Sequence, residues 1–366
     1  MESRRITVLI IAAGTGGHVF PALSIATELH ARGAKVEWLG THRGMENRIL
    51  DGTDFKLHRV SVNGLRGAGL LKILTAPWML LKAFFESRAV LKDVKPDLVI
   101  GMGGFVCGPA GIASKFLGIP LFIHEQNAVP GMTNRILAPL AAEVFEAFPN
   151  TFANRSRVRF TGNPLRKAIM HVRKTEGGAE FDERPLRLLV LGGSQGAQAI
   201  NEVVPEVVAN FREDAELEVL HQVGANNLET AETLYQSLGM SPDLDTRVVA
   251  FVEDMAEAYQ WADLIVCRSG ASTVSEVAAV GIPAIFIPYP HHKDQQQTLN
   301  AKWLSDAAAA VTLQQSLLTT TSLLEVIRDL AKDRQKLQRM GKKAGSLAIT
   351  DASTQIVDAC LGASNA

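Results

Sequence analysis

Short, almost wholly apolar runs recur along the chain, separated by longer stretches in which apolar positions return every three or four residues. The first run, Ile6–Ala12, is rich in β-branched residues and too short for a helix. A run of this kind reads as a strand buried on both faces. Ala22–Arg32 follows with helical spacing and stops at Gly33. Lys35–Leu39, Asp97–Ile100, Leu121–His124, Leu186–Leu191, Glu218–Gln222, Asp263–Cys267 and Ala284–Ile287 repeat the strand pattern. Strands alternating with helical stretches predict βαβ units, and hence an α/β fold of parallel sheets with helices on both faces.

The pattern also repeats on a larger scale. Ile6–Ala12 runs into Gly14-Thr15-Gly16-Gly17, and Leu186–Leu191 runs into Gly192-Gly193-Ser194-Gln195-Gly196. Asp97-Leu98-Val99-Ile100 leads into Gly101-Met102-Gly103-Gly104, as Asp263-Leu264-Ile265-Val266 leads into Cys267-Arg268-Ser269-Gly270. Both repeats are offset by about half the chain, too far for a solenoid. They predict two Rossmann-like domains, divided near the turn signal Thr161-Gly162-Asn163-Pro164. The expected division is 1–163, 164–346, and a closing helical segment 347–366 that returns to the first domain. The polar stretch Lys174–Pro185 reads as a surface loop.

Composition narrows the function. The 366 residues favour two domains, and 47% hydrophobic residues supply ample core. Thirty-seven basic against 38 acidic residues give a net charge of −1, which argues against a general nucleic-acid binder. Cys107, Cys267 and Cys360 are odd in number and widely spaced, so neither a disulfide framework nor a CxxC metal pair is indicated. Ser3-Arg4-Arg5 before an apolar run could be read as an export signal. A first strand feeding a glycine loop explains it better. No run reaches the roughly 18 apolar residues of a membrane span, and the expected compartment is the cytoplasm.

Glycines at the carboxyl ends of parallel strands let backbone N–H groups approach an anion, and the next helix adds a favourable dipole. Gly14–His18 and Gly192–Ala197 fit this description, and Gly101–Gly104 is a third candidate. None is a dinucleotide or P-loop signature. Val19 and Val106 stand where GxGxxG needs glycine, and no GK[ST] follows. Gly192-Gly193-Ser194-Gln195-Gly196 also matches the GxSxG elbow of serine hydrolases, but that fold is one large sheet and the halves here repeat.

His18 follows the first glycine loop. There it could act as a general base or bond a helix start. His124-Glu125-Gln126-Asn127 lacks the second histidine of HExxH, because position 128 is Ala128. Adjacent His291 and His292 would point apart on an extended segment, which argues against a metal pair. Ser269–Glu276 reads as a glycine turn opening a helix whose free N–H groups suit a diphosphate. Glu276 there could accept from a ribose diol or serve as an ordinary capping residue. Leu70–Phe85 is strongly apolar, broken by Pro77 and bordered by Arg66, Lys72, Lys82 and Arg88. It reads either as a core helix pair or as a surface that lies on an anionic membrane.

Six motifs occur in one order: Gly14-Thr15-Gly16-Gly17-His18-Val19-Phe20-Pro21, Gly101-Met102-Gly103-Gly104-Phe105, His124-Glu125-Gln126-Asn127, Gly162-Asn163-Pro164-Leu165-Arg166, Gly192-Gly193-Ser194-Gln195-Gly196-Ala197 and Cys267-Arg268-Ser269-Gly270. Together they resemble the MurG family of bacterial peptidoglycan glycosyltransferases. The resemblance runs from the first strand to at least Asn300. It implies a GT-B fold, two Rossmann-like domains facing across a cleft. It implies inverting transfer of N-acetylglucosamine (GlcNAc) from UDP-GlcNAc to the C4 hydroxyl of the muramoyl sugar of undecaprenyl-diphosphate-linked MurNAc-pentapeptide, lipid I to lipid II. The implied setting is peripheral, on the cytoplasmic face of the inner membrane, with cell-wall synthesis and division proteins as partners.

Residue by residue, the resemblance places the donor on Ser194, Arg166, Phe251, Val252, Ala271, Ser272, Thr273, Val274, Ser275, Glu276 and Gln296, with Asn127 and Thr15, Gly16 and Gly17 from the first domain. Glu276 would hold the ribose, Arg166 and Phe251-Val252 the uracil, and Gln296 the GlcNAc hydroxyls. Gly14, Thr15, Gly16, Gly17, Gly103 and Gly104 would face the acceptor diphosphate, and His18 is the favoured base. The membrane patch would be Leu74, Trp78, Leu81, Phe84, Phe85, Lys72 and Lys82. Two features depart from the family pattern: Ala13 stands where glycine is usual, and the His291-His292 pair is unfamiliar.

Asp243-Leu244-Asp245 is a DxD by letters only, so backbone N–H groups and a helix dipole are expected to stabilise the leaving group without an essential protein-bound metal. The competing readings are another UDP-sugar enzyme of the same fold (a glycolipid transferase or a 2-epimerase), a serine hydrolase on Ser194, and a non-catalytic nucleotide-sugar sensor.

Overall fold

The computed structural model describes residues 5–62, 70–152, 157–172, 184–193, 196–240, 245–292 and 294–364, with residues 70–74 and 364 described by backbone alone. The chain divides into two units, Met1–Arg166 with Ile349–Ala366, and Lys167–Ala348. The first division falls three residues beyond the expected one, so Arg166, expected in the donor domain, belongs to the first unit.

In the first unit the described strands are β1 (Thr7–Ile11), β2 (Lys35–Thr41), β3 (Lys56–Val60), β4 (Leu98–Gly101), β5 (Leu121–Glu125), β6 (Glu143–Glu146) and β7 (Val158–Phe160). They form one parallel sheet in the order β3-β2-β1-β4-β5-β6-β7. Alternate residues of β1 feed different cores. Val8 and Ile10 join a cluster with Trp38 and Phe122, whereas Leu9 and Ile11 join one with Val99 and Ile123. Burial on both faces is why β1 carries an unbroken apolar run. The helix Ala352–Ser364 adds Ile356, Val357 and Cys360 to the first of these cores. It packs beside the helix Gly16–Ala31, where Arg32 pairs with Asp358.

In the second unit the described strands are β8 (Leu186–Leu191), β9 (Leu217–Gln222), β10 (Thr246–Val249), β11 (Leu264–Cys267), β12 (Ala284–Phe286) and β13 (Ala310–Thr312), parallel and in the order β10-β9-β8-β11-β12-β13. Strand order reverses between β1 and β4 in one sheet and between β8 and β11 in the other. Ligands of open α/β sheets bind at such switch points, beyond the carboxyl ends of the strands. The four loops singled out from the sequence are the ones that follow these four strands.

The repeated Asp-Leu pairs have a structural basis. Asp97 N donates to Thr7 O (2.8 Å), and Asp97 Oδ2 accepts from Thr7 N (2.8 Å). Asp263 N donates to Arg187 O (2.8 Å), and Asp263 Oδ2 accepts from Arg187 N (3.0 Å). Each aspartate thus fixes the register at the switch point of its own sheet. Asp263 also forms a bidentate pair with Arg184, both bonds 2.7 Å.

Two helices depart from expectation. The first begins at Gly16 rather than Ala22 and carries Pro21 inside it. Proline removes one N–H and crowds the carbonyl four residues back, here that of Gly17, which has no side chain to add to the crowding. The helix Leu70–Val94 likewise continues through Pro77, which lies on its exposed side. All three cysteines are buried and free.

Removing the carboxylate of Asp263 leaves the Arg184 guanidinium and the Arg187 N–H without it. Asp263→Ala is expected to lower stability by about 3 kcal/mol, and Asp97→Ala by about 1–2 kcal/mol. Urea unfolding checks the ranking, and equal effects would contradict the added Arg184 pair.

Candidate active site

The loop after β1 is held from three sides. Trp38 Nε1 donates to Ala12 O (2.8 Å), and Met45 N donates to Gly14 O (3.0 Å). Gly14 N donates to Glu46 Oε2 (3.1 Å). Glu46 is fully buried and also accepts from Thr41 N (2.7 Å) and Thr41 Oγ1 (2.8 Å). The strained backbone position is Gly14, with φ +98°, whereas Ala13 keeps a negative φ and packs its methyl group in the core. Alanine at 13 is therefore accommodated. Thr15 caps the helix in an extended conformation, leaving Thr15 and Gly17 exposed.

His18 sits against the Gly103-Gly104 turn. A Cβ on Gly103 would lie 3.3 Å from His18 Cε1, and one on Gly104 would lie 3.6 Å from His18 Cδ2. Both glycines have positive φ. His18 Nδ1 lies 2.8 Å from Gln126 Oε1. Gln126 Nε2 lies 3.0 Å from His124 Nδ1, and His124 Nε2 lies 3.0 Å from Gly162 O. His124 is completely buried, and that burial pulls its pKa down to about 4.

Glu125 organises the loop after β5. Its Oε1 accepts from Asn127 N (3.0 Å) and Asn127 Nδ2 (3.3 Å), and its Oε2 from Gly131 N and Asn134 Nδ2, both 2.9 Å. In the same unit the Arg166 guanidinium lies 5.3 Å over the Phe20 ring.

In the second unit, Gln222 braces the loop after β8. Gly193 N donates to Gln222 Oε1 (3.0 Å), and Gln222 Nε2 donates to Gly193 O (2.9 Å) and Ala250 O (3.1 Å). Gly196, with φ +75°, admits no side chain, because a Cβ would stand 2.3 Å from Val223 O. Ser194 lies outside the described residues.

The helix Ala271–Val280 follows β11. Its first intrahelical bond is Val274 N to Gly270 O (2.9 Å), and no side chain caps it. The N–H groups of Ala271, Ser272 and Thr273 therefore point out of the helix start. Ser269 Oγ and Ser272 Oγ are buried beside this start without a hydrogen-bond partner among the described residues. Glu276 is buried one turn in, and Tyr259 Oη donates to its Oε2 (2.9 Å). Phe251 is exposed and Val252 buried.

Gln296 opens the helix Gln296–Ser305, and Gln297 Oε1 accepts from Tyr289 N (2.9 Å). The rings of His291 and His292 both meet Tyr289 edge-on, at 5.2 and 5.3 Å. Among the described residues no group of three or more His, Cys, Asp or Glu converges as a metal site. Asp243 and Leu244 lie outside those residues.

The donor candidates Ala271–Glu276, Phe251, Val252 and Gln296 lie in the second unit. Thr15–His18, Gly103, Gly104, Asn127 and Arg166 lie in the first. Sequence reading missed Glu46, Trp38, Gln222 and the role of Gln126. The signal available was a polar residue embedded in, or ending, an apolar strand, as at Trp38 and Gln222.

Two parallel-sheet units with paired glycine loops at their switch points define a two-domain protein of the GT-B fold class. Residues 8–146 match the glycosyltransferase family 28 N-terminal domain, and residues 187–356 match the family 28 C-terminal domain. UDP-N-acetylglucosamine–N-acetylmuramyl-(pentapeptide) pyrophosphoryl-undecaprenol N-acetylglucosamine transferases are similar over nearly the full length. The Shewanella frigidimarina protein is 46% identical, covering 96% of this chain and 95% of its own. The Pseudomonas savastanoi pv. phaseolicola protein is 46% identical, covering 97% and 98%. The crystal structure of Acinetobacter baumannii MurG aligns with a TM-score of 0.82 at 42% identity, over 98% of this chain and 99% of that one. The chain belongs to glycosyltransferase family 28 and, within it, to the MurG family.

The depressed pKa of His124 has a consequence for acid stability. Its folded value, about 4, lies below the ordinary 6.5, as does that of buried His221, about 3. Between those values the unfolded chain binds more protons, so stability is full above about pH 6.5 and falls as pH drops toward 4. Each histidine is expected to contribute on the order of 2 kcal/mol to that loss by pH 4.5. Histidine NMR titration checks it: a midpoint near 6.5 at either residue would contradict the burial effect.

Proposed function

We propose that this chain transfers N-acetylglucosamine from UDP-GlcNAc to the C4 hydroxyl of MurNAc on undecaprenyl-diphosphate-linked MurNAc-pentapeptide, with inversion at the anomeric carbon. The reading rests on the 46% likeness to transferases of that activity, which extends across both units and all of the glycine loops.

The second unit takes the donor. The diphosphate lies on the N–H groups that open the helix Ala271–Val280, where the unpartnered Ser269 and Ser272 hydroxyls supply further donors. The helix dipole and these N–H groups stabilise the charge that develops on UDP as its bond to the sugar breaks. Glu276, steadied by Tyr259, accepts from the ribose hydroxyls. Phe251 and Val252 hold the uracil, and Gln296 reads the GlcNAc hydroxyls. Leaving-group stabilisation then needs no protein-bound metal.

The first unit takes the acceptor. Thr15–Gly17 and Gly103-Gly104 offer backbone N–H groups to its diphosphate, Gly14 shapes the turn that carries them, and His18 removes the proton of the attacking hydroxyl.

An apolar surface brings the acceptor's lipid into reach. Trp78 and Phe85 on the helix Leu70–Val94 are 74% and 57% exposed, Leu81 is also exposed, and Lys82 borders them, paired with Glu86 at 3.6 Å. Phe84 is half-buried and meets Phe116 edge-on at 5.8 Å. The next two helices add exposed Phe116, Met132 and Ile136, which sequence reading missed because they stand singly rather than in a run. Lys72 and Leu74 carry no side-chain description. No helix among the described residues is long and apolar enough to cross a membrane; the contact proposed is peripheral, and its placement on the cytoplasmic face rests on the likeness to the lipid-linked transferases.

UDP release from UDP-GlcNAc is expected to depend on a short-chain lipid I analogue, to give a disaccharide product, and to persist in EDTA. Donor binding without acceptor-dependent turnover would sink the transfer reading. Loss in EDTA restored by magnesium would sink the metal-free one. For docking, Trp78→Asp with Phe85→Asp should lower co-sedimentation with anionic phospholipid vesicles about tenfold or more. Undiminished binding would move the contact elsewhere.

A further inference from the structure

We propose that Gln126 and His124 are positioning residues that hold the neutral His18 imidazole in its Nδ1–H form, so that Nε2 is the bare nitrogen available to take the proton of the attacking hydroxyl. The proposal rests on reading His18 as the base and says how that base is prepared.

Each link in the row leaves one choice. Gly162 O can only accept, so His124 Nε2, 3.0 Å away, carries the hydrogen. Burial keeps His124 neutral near pH 7, because a desolvated imidazolium is disfavoured. Its Nδ1 is therefore a lone pair. That lone pair needs a donor, and it faces the Gln126 amide nitrogen at 3.0 Å. The same nitrogen lies 3.2 Å from His124 O, a second acceptor, so both neighbours fix the amide in one orientation. With the amide nitrogen committed, Gln126 Oε1 faces His18, and it can only accept. His18 Nδ1, 2.8 Å away, must then carry the hydrogen. Among the described residues Nε2 of His18 takes no protein partner. It is the nitrogen beside Gly104, where a Cβ would stand 3.8 Å from it.

The Gly103-Gly104 turn lies against Cε1 and Cδ2 of His18, and Gln126 is almost completely buried. A neutral imidazole is ambiguous between its two nitrogens, and the hydrogen bond at one decides which remains basic. Here the deciding group is an amide backed by a buried imidazole and a backbone carbonyl.

The amide takes no proton itself. In the transfer step the hydroxyl proton passes to His18 Nε2, and the oxygen forms its bond to the anomeric carbon. The bond from that carbon to UDP breaks, and its electron pair leaves with UDP. The resulting imidazolium keeps its Nδ1–H bond to Gln126, and its charge further disfavours protonation of His124.

The test is the ¹⁵N spectrum of the full-length protein with ¹⁵N-histidine at pH 7.5, the His18 signals being assigned by His18→Ala. Expected is a protonated Nδ1 and an unprotonated Nε2, and the reverse pattern overturns the proposal. Gln126→Met should release the ring to the Nε2–H form and lower kcat with a lipid I analogue at least about tenfold. The KM for UDP-GlcNAc should stay within about twofold. Gln126→Glu, which still accepts from Nδ1–H, should keep the wild-type tautomer. An unchanged tautomer in Gln126→Met overturns the proposal even if kcat falls. A wild-type Nδ1–H signature combined with undiminished kcat in His18→Ala would instead overturn the base reading and leave the tautomer assignment standing.

Discussion

The site depends on backbone N–H groups at strand ends being held by buried side chains rather than by the sheets. Once a parallel strand ends, its loop has no ladder to satisfy it, and each unpaired buried amide costs about 1–3 kcal/mol. This chain answers with side chains from the strand itself, from neighbouring strands and from the segments that follow them. Glu46 takes Gly14 N, Glu125 takes Asn127 N and Gly131 N, and Gln222 takes Gly193 N. The loops are thereby fixed before any ligand arrives, and preorganised donors are what a transfer with a departing diphosphate requires.

The two units solve the same problem with different chemistry. In the first, carboxylates do most of the bracing and lie behind the loops, facing inward. In the second, Gln222 does it with an amide that donates as well as accepts. Free N–H groups are left at the start of the helix Ala271–Val280, where no carboxylate of the cap competes for them. The helices that open at the two switch points, at Gly16 and Ala271, have no side-chain cap, so their first N–H groups are not used by their own helices.

The central strands were legible because burial on both faces leaves an uninterrupted apolar signature, as in β1, β8 and β11. Edge strands were not. β3, β7, β10 and β13 carry residues such as Lys56, Arg159, Arg247 and Thr312 on exposed or half-buried positions, and the internal β6, also missed, is bounded by Glu143 and Glu146, so no apolar run stands out. Pro21 and Pro77 misled the helix boundaries, because tertiary packing outweighs the local cost of one proline. The glycine loops and the helix carrying Glu276 were placed correctly in the fold from their strand contexts. Of their supports, Glu46 and Gln126 were invisible. Glu46 reaches Gly14 across 32 residues and Gln126 reaches His18 across 108, and no local pattern marks partners that only the sheet order brings together.

The helix Ala352–Ser364 bears on how the molecule is made. It supplies Ile356, Val357 and Cys360 to the core of the first unit, although the whole second unit lies between them and the rest of that core. Domains generally fold as units while the chain is being synthesised. The first unit therefore lacks part of one core until the segment that follows the second unit is available. The half of the molecule that begins first is finished last. A chain ending at Ala348 would hold every residue of the second unit yet leave an apolar face of the first unit's first helix uncovered.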